Sequence, residues 1–305
     1  MNFKLEGVVV PLITPFLEDY SIDKESLKWL VSYLIENKVN GLFVNSSVGE
    51  FASLSIDEMR LTTKIVMDSK KDSVPVFSGI STNFTEESVK LGKEFKDLGV
   101  DAIVILPPYF FKVSEKELIH HFSLIAEKVD IPIIIYNIPL YTGMNISIST
   151  YKTLISQYSN IIGTKVTFDS LIYFKRLIKE LREVRKDFAI LTGFDEYLLP
   201  LLSMGGNGGV MGLANVVPKF HTRVYDSWKK GDMERANKYW LDLLNLTEIY
   251  DYCNSYTASV KVLFKILNMP IKNVVRPPLT ICEQKSEELA RKRITSLLSS
   301  LANSE

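Results

Sequence analysis

Lys165 closes the apolar run Ile161–Lys165. An amine at the end of a buried strand loses solvation, which favours its neutral form, and a neutral amine attacks carbonyl carbons. Tyr136 closes a second such run, Ile131–Tyr136. A phenol beside an amine can carry the protons that imine formation and carbon–carbon cleavage require. A third element is the loop Asn45-Ser46-Ser47-Val48-Gly49-Glu50. Its hydroxyls and backbone N–H groups, with little steric bulk, suit a small carboxylate. Each feature also has a plain structural use: a lysine that reaches solvent, a core aromatic, an ordinary turn.

Other chemistries fit poorly. Gly205, Gly206, Gly208, Gly209 and Gly212 do not form a dinucleotide fingerprint or a phosphate-binding loop. They are expected to allow tight packing and ligand approach at the strand they surround. His120 and His121 are adjacent in a helical pattern and cannot share one face, so a histidine metal site is not expected and the histidines read as solvated helix faces. Cys253 and Cys282 form neither a disulfide framework nor a zinc ribbon, and are expected to be reduced.

The elements that must position these residues follow from hydrophobic patterning. Eight short apolar runs read as strands buried on both faces, as parallel strands are. They are Val8–Ile13, Gly41–Val44, Val74–Ser78, Ala102–Leu106, Ile131–Tyr136, Ile161–Lys165, Phe188–Leu191 and Gly208–Met211. Helical patterns lie between them: Asp23–Glu36, one opened by the capping box Ser55/Glu58, Thr85–Leu98, and one opened by Ser114/Glu117. More follow at about 148–157, 169–183, 195–203 and 218–229. Eight βα units imply an α/β fold, the (β/α)8 or TIM barrel, over residues 1–231. Residues 232–305 then form a C-terminal helical extension of the same domain, with patterns at Met233–Tyr250, Ser255–Leu267 and Glu283–Leu301. In such a barrel, active residues sit at the C-terminal strand ends, where Lys165, Tyr136 and the Ser46–Gly49 loop all fall.

Composition narrows the partners. The 36 basic and 36 acidic residues give a formal net charge of zero, against nucleic acid or an anionic membrane as partner. No apolar run approaches the ~18 residues of a membrane span. The apolar stretch from Gly7 to Leu17 holds Pro11 and Pro15 and does not read as a targeting segment. A cytoplasmic enzyme acting on a small molecule is the expectation.

Taken together, these motifs resemble the N-acetylneuraminate lyase / dihydrodipicolinate synthase family of class I pyruvate aldolases. The likeness runs from Val10-Pro11-Leu12-Ile13-Thr14-Pro15-Phe16 to Arg276-Pro277-Pro278-Leu279. Its most specific parts are the loop ending in Gly49-Glu50, Tyr136-Asn137-x-Pro139 and Gly163-x-Lys165. The resemblance implies a homotetramer in which Lys165 forms a Schiff base with a keto acid and Tyr136 shuttles protons. Ser47 and Val48, with Ser46 beside them, would hold the carboxylate. Ile138 and Val210 would line the pyruvate pocket. No metal or organic cofactor is implied.

Departures from the family pattern select the branch. The synthase arginine that holds a second carboxylate is replaced by Tyr141, and the synthase relay tyrosine by Phe110. The second loop hydroxyl is replaced by Val48. Lys165-Val166-Thr167 is similar to the sugar-acid aldolases, and Gly193-Phe194-Asp195-Glu196 to the lyase loop that binds polyhydroxylated chains. Carboxylates accept hydrogen bonds from sugar hydroxyls, though Asp195 and Glu196 would equally stabilise a helix N-terminus. The expected activity is cleavage of a 2-keto-3-deoxy sugar acid, such as 2-keto-3-deoxygluconate, to pyruvate and glyceraldehyde. N-acetylneuraminate lyase, a sugar-acid dehydratase, a dihydrodipicolinate synthase-like enzyme and a catalytically silent keto-acid binder are the alternatives.

Overall fold

The computed structural model describes residues 3–70 and 74–302. The outer bounds 1 and 305 of the two predicted segments lie outside the described residues. Eight parallel strands close into one barrel in chain order. They are β1 (Gly7–Pro11), β2 (Gly41–Val44), β3 (Val76–Gly79), β4 (Ala102–Ile105), β5 (Ile133–Asn137), β6 (Ile161–Val166), β7 (Ala189–Thr192) and β8 (Gly208–Val210). Around the barrel run α1 (Lys24–Glu36), α2 (Ile56–Ser69), α3 (Thr85–Asp97), α4 (Glu115–Lys128), α5 (Pro139–Thr142), α6 (Ile148–Gln157), α7 (Leu171–Val184), α8 (Leu198–Ser203) and α9 (Pro218–Lys229). The predicted TIM barrel is present.

Side-chain alternation divides the core into two shells. Val9, Phe43, Phe77, Val104, Ile134 and Leu191 fill the barrel interior, with Leu5 and Phe3 closing its N-terminal end. Val8, Val10, Leu42, Val44, Ile103 and Ile135 point outward to the helices. Both strand faces are thus apolar, which is why the runs read as continuous rather than alternating. The Ser55/Glu58 and Ser114/Glu117 capping boxes form as predicted and fix the starts of α2 and α4.

Element ends shift by a residue or two from expectation. The third strand starts at Val76, after Pro75, which has no N–H to give a ladder. The predicted helix at 195–203 divides into a 3-10 turn, Asp195–Tyr197, and α8. The pattern Met233–Tyr250 divides into α10 (Met233–Thr247) and a 3-10 turn, Glu248–Asp251. Helix α5 is too short for a hydrophobic period to show; Pro139 starts it, and Gly143 at φ 69° stops it. The C-terminal segment continues with α11 (Tyr256–Ile266) and α12 (Gln284–Ala302).

Two expectations are corrected. Cys253 and Cys282 are joined as a disulfide, with Cα atoms 4.9 Å apart. The fold brings the turn before α11 against the chain entering α12, a proximity that spacing alone does not reveal. The histidines are not all solvated: His121 and His221 are buried. His121 Nδ1 meets Thr85 Oγ1 at 2.9 Å, and His221 Nε2 meets Asp195 Oδ1 at 2.6 Å. Helical patterning located these rings on helices but not on the inward faces. No helix among the described residues is long and apolar enough to cross a membrane.

Candidate active site

The C-terminal mouth of the barrel opens into a cavity of about 430 Å³. At its floor, Tyr136 and Lys165 are register partners on β5 and β6. Both are buried, at 3% and 4% exposure. Lys165 Nζ lies 3.8 Å from the centre of the Tyr136 ring and 5.5 Å from that of Phe43. Thr167, two residues beyond Lys165, donates its hydroxyl to the Tyr136 oxygen at 3.5 Å. Amine, phenol and hydroxyl therefore share one part of the cavity.

Backbone detail explains the convergence. Asn137 next to Tyr136 is buried and anchors the following loop. Its amide donates to Asn145 Oδ1 at 2.7 Å and Tyr173 Oη at 3.1 Å, and its carbonyl accepts the Thr167 N–H at 2.8 Å. Gly193 leaves the space that Thr167 and Lys165 need: a methyl there would overlap Thr167 Oγ1 and stand 3.1 Å from Lys165 Cε.

The serine turn after β2 forms the adjoining wall. Ser47 and Val48 line the cavity, and Ser47 Oγ is buried without a hydrogen-bond partner. Ser46 is not a lining residue. Its hydroxyl accepts the Gly49 N–H at 3.0 Å and donates to the Leu12 carbonyl at 3.3 Å, which shapes the turn. Gly49 has no room for a side chain, because a Cβ would lie 2.6 Å from the Leu12 carbonyl oxygen.

Ile138, Gly193, Asp195, Glu196 and Val210 line the cavity as well. Asp195 is committed to the protein: one oxygen meets His221, and the other accepts the Tyr250 hydroxyl at 3.0 Å. Burial, then the nearby Asp195, raises the pKa of Glu196. Burial also raises Tyr256, with Glu196, Asp251 and Asp195 adding to the shift. Phe110 is 91% exposed and does not line the cavity.

The outer wall includes residues that the sequence reading missed. Glu248, Tyr250, Asp251, Tyr256 and Thr257 come from the C-terminal segment, and Asp169 and Tyr197 from loops over β6 and β7. These C-terminal residues lie beyond the last strand-end loop, where barrel topology alone does not place a functional residue. The resulting electrostatics are lopsided. Among the described lining residues Lys165 is the sole lysine or arginine, against the acidic Asp169, Asp195, Glu196, Glu248 and Asp251. No group of three or more His, Cys, Asp or Glu among the described residues is placed to hold a metal ion.

Comparison with known proteins agrees with this geometry. The model of the dihydrodipicolinate synthetase family matches residues 4–297. A protein of Thermofilum pendens described as an uncharacterized DapA-like lyase is 48% identical, over 95% of this chain and 98% of its own. The 4-hydroxy-tetrahydrodipicolinate synthase of Methanopyrus kandleri is 37% identical, over 97% of this chain and 98% of its own. YagE of Escherichia coli K12, a putative 2-dehydro-3-deoxy-D-gluconate aldolase, is 31% identical over 89% of this chain and 90% of its own. Its structure in complex with pyruvate superposes with a TM-score of 0.93, covering 96% of this chain and 98% of that one. Enzymes of this family bind pyruvate through a Schiff-base lysine, without a metal or organic cofactor. The chain belongs to the dihydrodipicolinate synthetase family and is a carbon–carbon lyase.

Proposed function

We propose that the protein is a class I aldolase that cleaves a 2-keto-3-deoxy sugar acid, such as 2-keto-3-deoxygluconate, to pyruvate and an aldehyde such as glyceraldehyde. Lys165 Nζ attacks the keto carbon, and the keto oxygen leaves as water to give a protonated imine. Tyr136, having passed its proton to that departing water, takes the proton of the C4 hydroxyl. The C3–C4 bond then breaks, its electrons flow to the imine nitrogen as an enamine, and the aldehyde departs. Protonation at C3 and hydrolysis of the imine release pyruvate and restore the amine. Thr167 orients the phenol through its 3.5 Å hydrogen bond. The unpaired Ser47 hydroxyl and the Val48 N–H receive the carboxylate.

The observation that carries the choice of substrate is the charge of the cavity. One amine, Lys165, meets the keto-acid end, and the outer wall is rich in carboxylates and phenols. That wall accepts hydrogen bonds from the hydroxyls of a neutral chain and repels a second anion. A synthase substrate carries a second carboxylate, and Tyr141, where the synthases have arginine, gives it no charged partner. N-acetylneuraminate lyase is the second reading, supported by Glu196 in the outer wall. Apart from Lys165 no lysine or arginine among the described residues lines the cavity, so phosphorylated substrates are disfavoured too.

The C-terminal helical segment belongs with the barrel as one domain, because Tyr250, Tyr256 and Thr257 help to wall the cavity. Family resemblance supports a homotetramer, and the exposed Phe84, Phe110, Phe111 and Leu140 offer apolar surface for subunit contacts.

The test is a kinetic comparison of pyruvate release from 2-keto-3-deoxygluconate, its 6-phosphate and N-acetylneuraminate, with pyruvate condensation on aspartate semialdehyde measured in parallel. The unphosphorylated sugar acid is expected to give the highest kcat/KM. Preference for the phosphate or the semialdehyde would overturn the assignment.

A further inference from the structure

The molecule contains a second buried amine that the reaction does not use. Lys261 on α11 and Glu50, at the end of the serine turn, both have side chains with 0% exposure. Lys261 Nζ donates to Glu50 Oε1 at 2.5 Å and to the Val274 carbonyl at 2.7 Å. It lies 4.3 Å from the centre of the Phe16 ring. The other Glu50 oxygen accepts the Arg276 N–H at 2.8 Å. Neither residue lines the cavity. Burial pulls the Lys261 pKa down to about 8, against the opposing pull of Glu50. Burying two charges is costly, so the pair calls for a role other than stability.

Its surroundings supply one. Glu50 has a left-handed backbone, φ 58° and ψ 34°, uncommon for a residue with a side chain. Its N–H closes the turn on the Ser47 carbonyl at 3.1 Å. One helical turn before Lys261, Thr257 donates its hydroxyl to the Val48 carbonyl at 3.2 Å. Outside α11, Thr14 donates to the Gly49 carbonyl at 2.6 Å. Helix α11 therefore grips the turn at Val48 and Glu50, on the segment whose Ser47 hydroxyl stays unpaired.

We propose that Glu50 and Lys261 are a positioning pair, through which α11 fixes the serine turn in the geometry that receives the carboxylate of the keto acid. This rests on reading Ser47 and Val48 as the carboxylate site. It gives the C-terminal segment a part in substrate binding beyond walling the cavity.

The test uses borohydride trapping on the full-length protein. Half-saturating concentrations are measured for pyruvate and for acetone, a carbonyl compound without a carboxylate, in wild type, E50Q, K261M and E50Q/K261M. The pyruvate value is expected to rise about tenfold or more in each variant, the loss typical of a hydrogen bond to a charged group. The double variant should lose no more than the single ones, and acetone trapping should not change. Unchanged pyruvate values, or equal changes for pyruvate and acetone, overturn the proposal. Should E50Q, K261M and their combination fail to fold, E50D and K261R, which keep both charges but change the reach between them, must raise the pyruvate value and leave acetone trapping unchanged; any other pattern overturns it. Failure of the underlying reading looks different: wild type would then show no preference for pyruvate over acetone.

Discussion

Gly193→Ala is the sharpest probe of how the site is assembled. The added methyl overlaps Thr167 Oγ1, stands 3.0 Å from Thr167 Cβ and 3.1 Å from Lys165 Cε. Lys165 can yield by a few tenths of an ångström, because Cε is near the end of a flexible side chain. Thr167 has less freedom. It is β-branched, and its N–H is held by the Asn137 carbonyl at 2.8 Å. Its hydroxyl must therefore move by about 1 Å or leave Tyr136 altogether, and a misplacement of that size costs on the order of 100-fold in rate. That is about 2.7 kcal/mol of transition-state stabilisation. Overpacking adds a stability loss of about 1–3 kcal/mol. Steady-state kinetics and thermal unfolding measure the two separately. Thr167→Ala removes the overlapping hydroxyl, so in that background Gly193→Ala is expected to cost much less. A folded Gly193→Ala enzyme with unchanged kcat would refute the geometry, as would additive losses in the double variant.

Tyr136→Phe keeps the ring against Lys165 but removes the proton carrier, so turnover should fall about 100- to 10,000-fold while pyruvate trapping persists; comparable turnover would exclude the phenol. His121 has its pKa lowered to about 4, chiefly by burial. The unfolded chain takes up that proton near pH 6.5, so this contribution to stability is complete above pH 6.5 and is lost as pH falls to 4, up to about 3 kcal/mol. Denaturant titrations from pH 7 to 4 should show a flatter profile in His121→Gln; an identical profile would exclude this histidine as the source. Cys253→Ser/Cys282→Ser opens a loop with a sequence separation of 29. Chain entropy then assigns a loss of about 3.5 kcal/mol, read as a lower denaturant midpoint, and an unshifted midpoint would contradict it.

The inner site was legible in the sequence because its residues sit at strand ends. A strand end fixes direction, so Lys165 and Tyr136 on adjacent apolar runs had to meet at one mouth of the barrel. Their register pairing bears this out. The outer site was not legible. Tyr250, Asp251, Tyr256 and Thr257 reach the cavity through tertiary packing of the C-terminal segment, which no local period encodes. The same limit hid the orientation of single polar groups. Ser46 and Ser47 are neighbours of one type, yet one hydroxyl shapes the turn while the other is left unpaired at the cavity. His221 fell on a helical pattern, but only the fold brings Asp195 to it, 26 residues away. The spacing of Cys253 and Cys282 says nothing of the contact between the turn before α11 and the chain before α12, so the sequence does not reveal their disulfide.

The central claim is covalent chemistry at Lys165. Incubation with pyruvate or 2-keto-3-deoxygluconate and borohydride, followed by peptide mass spectrometry, tests it directly. The predicted result is one reduced adduct, on the peptide bearing Lys165, and no adduct in Lys165→Ala. Equal trapping in that variant, or an adduct on Lys261 instead, would contradict the account.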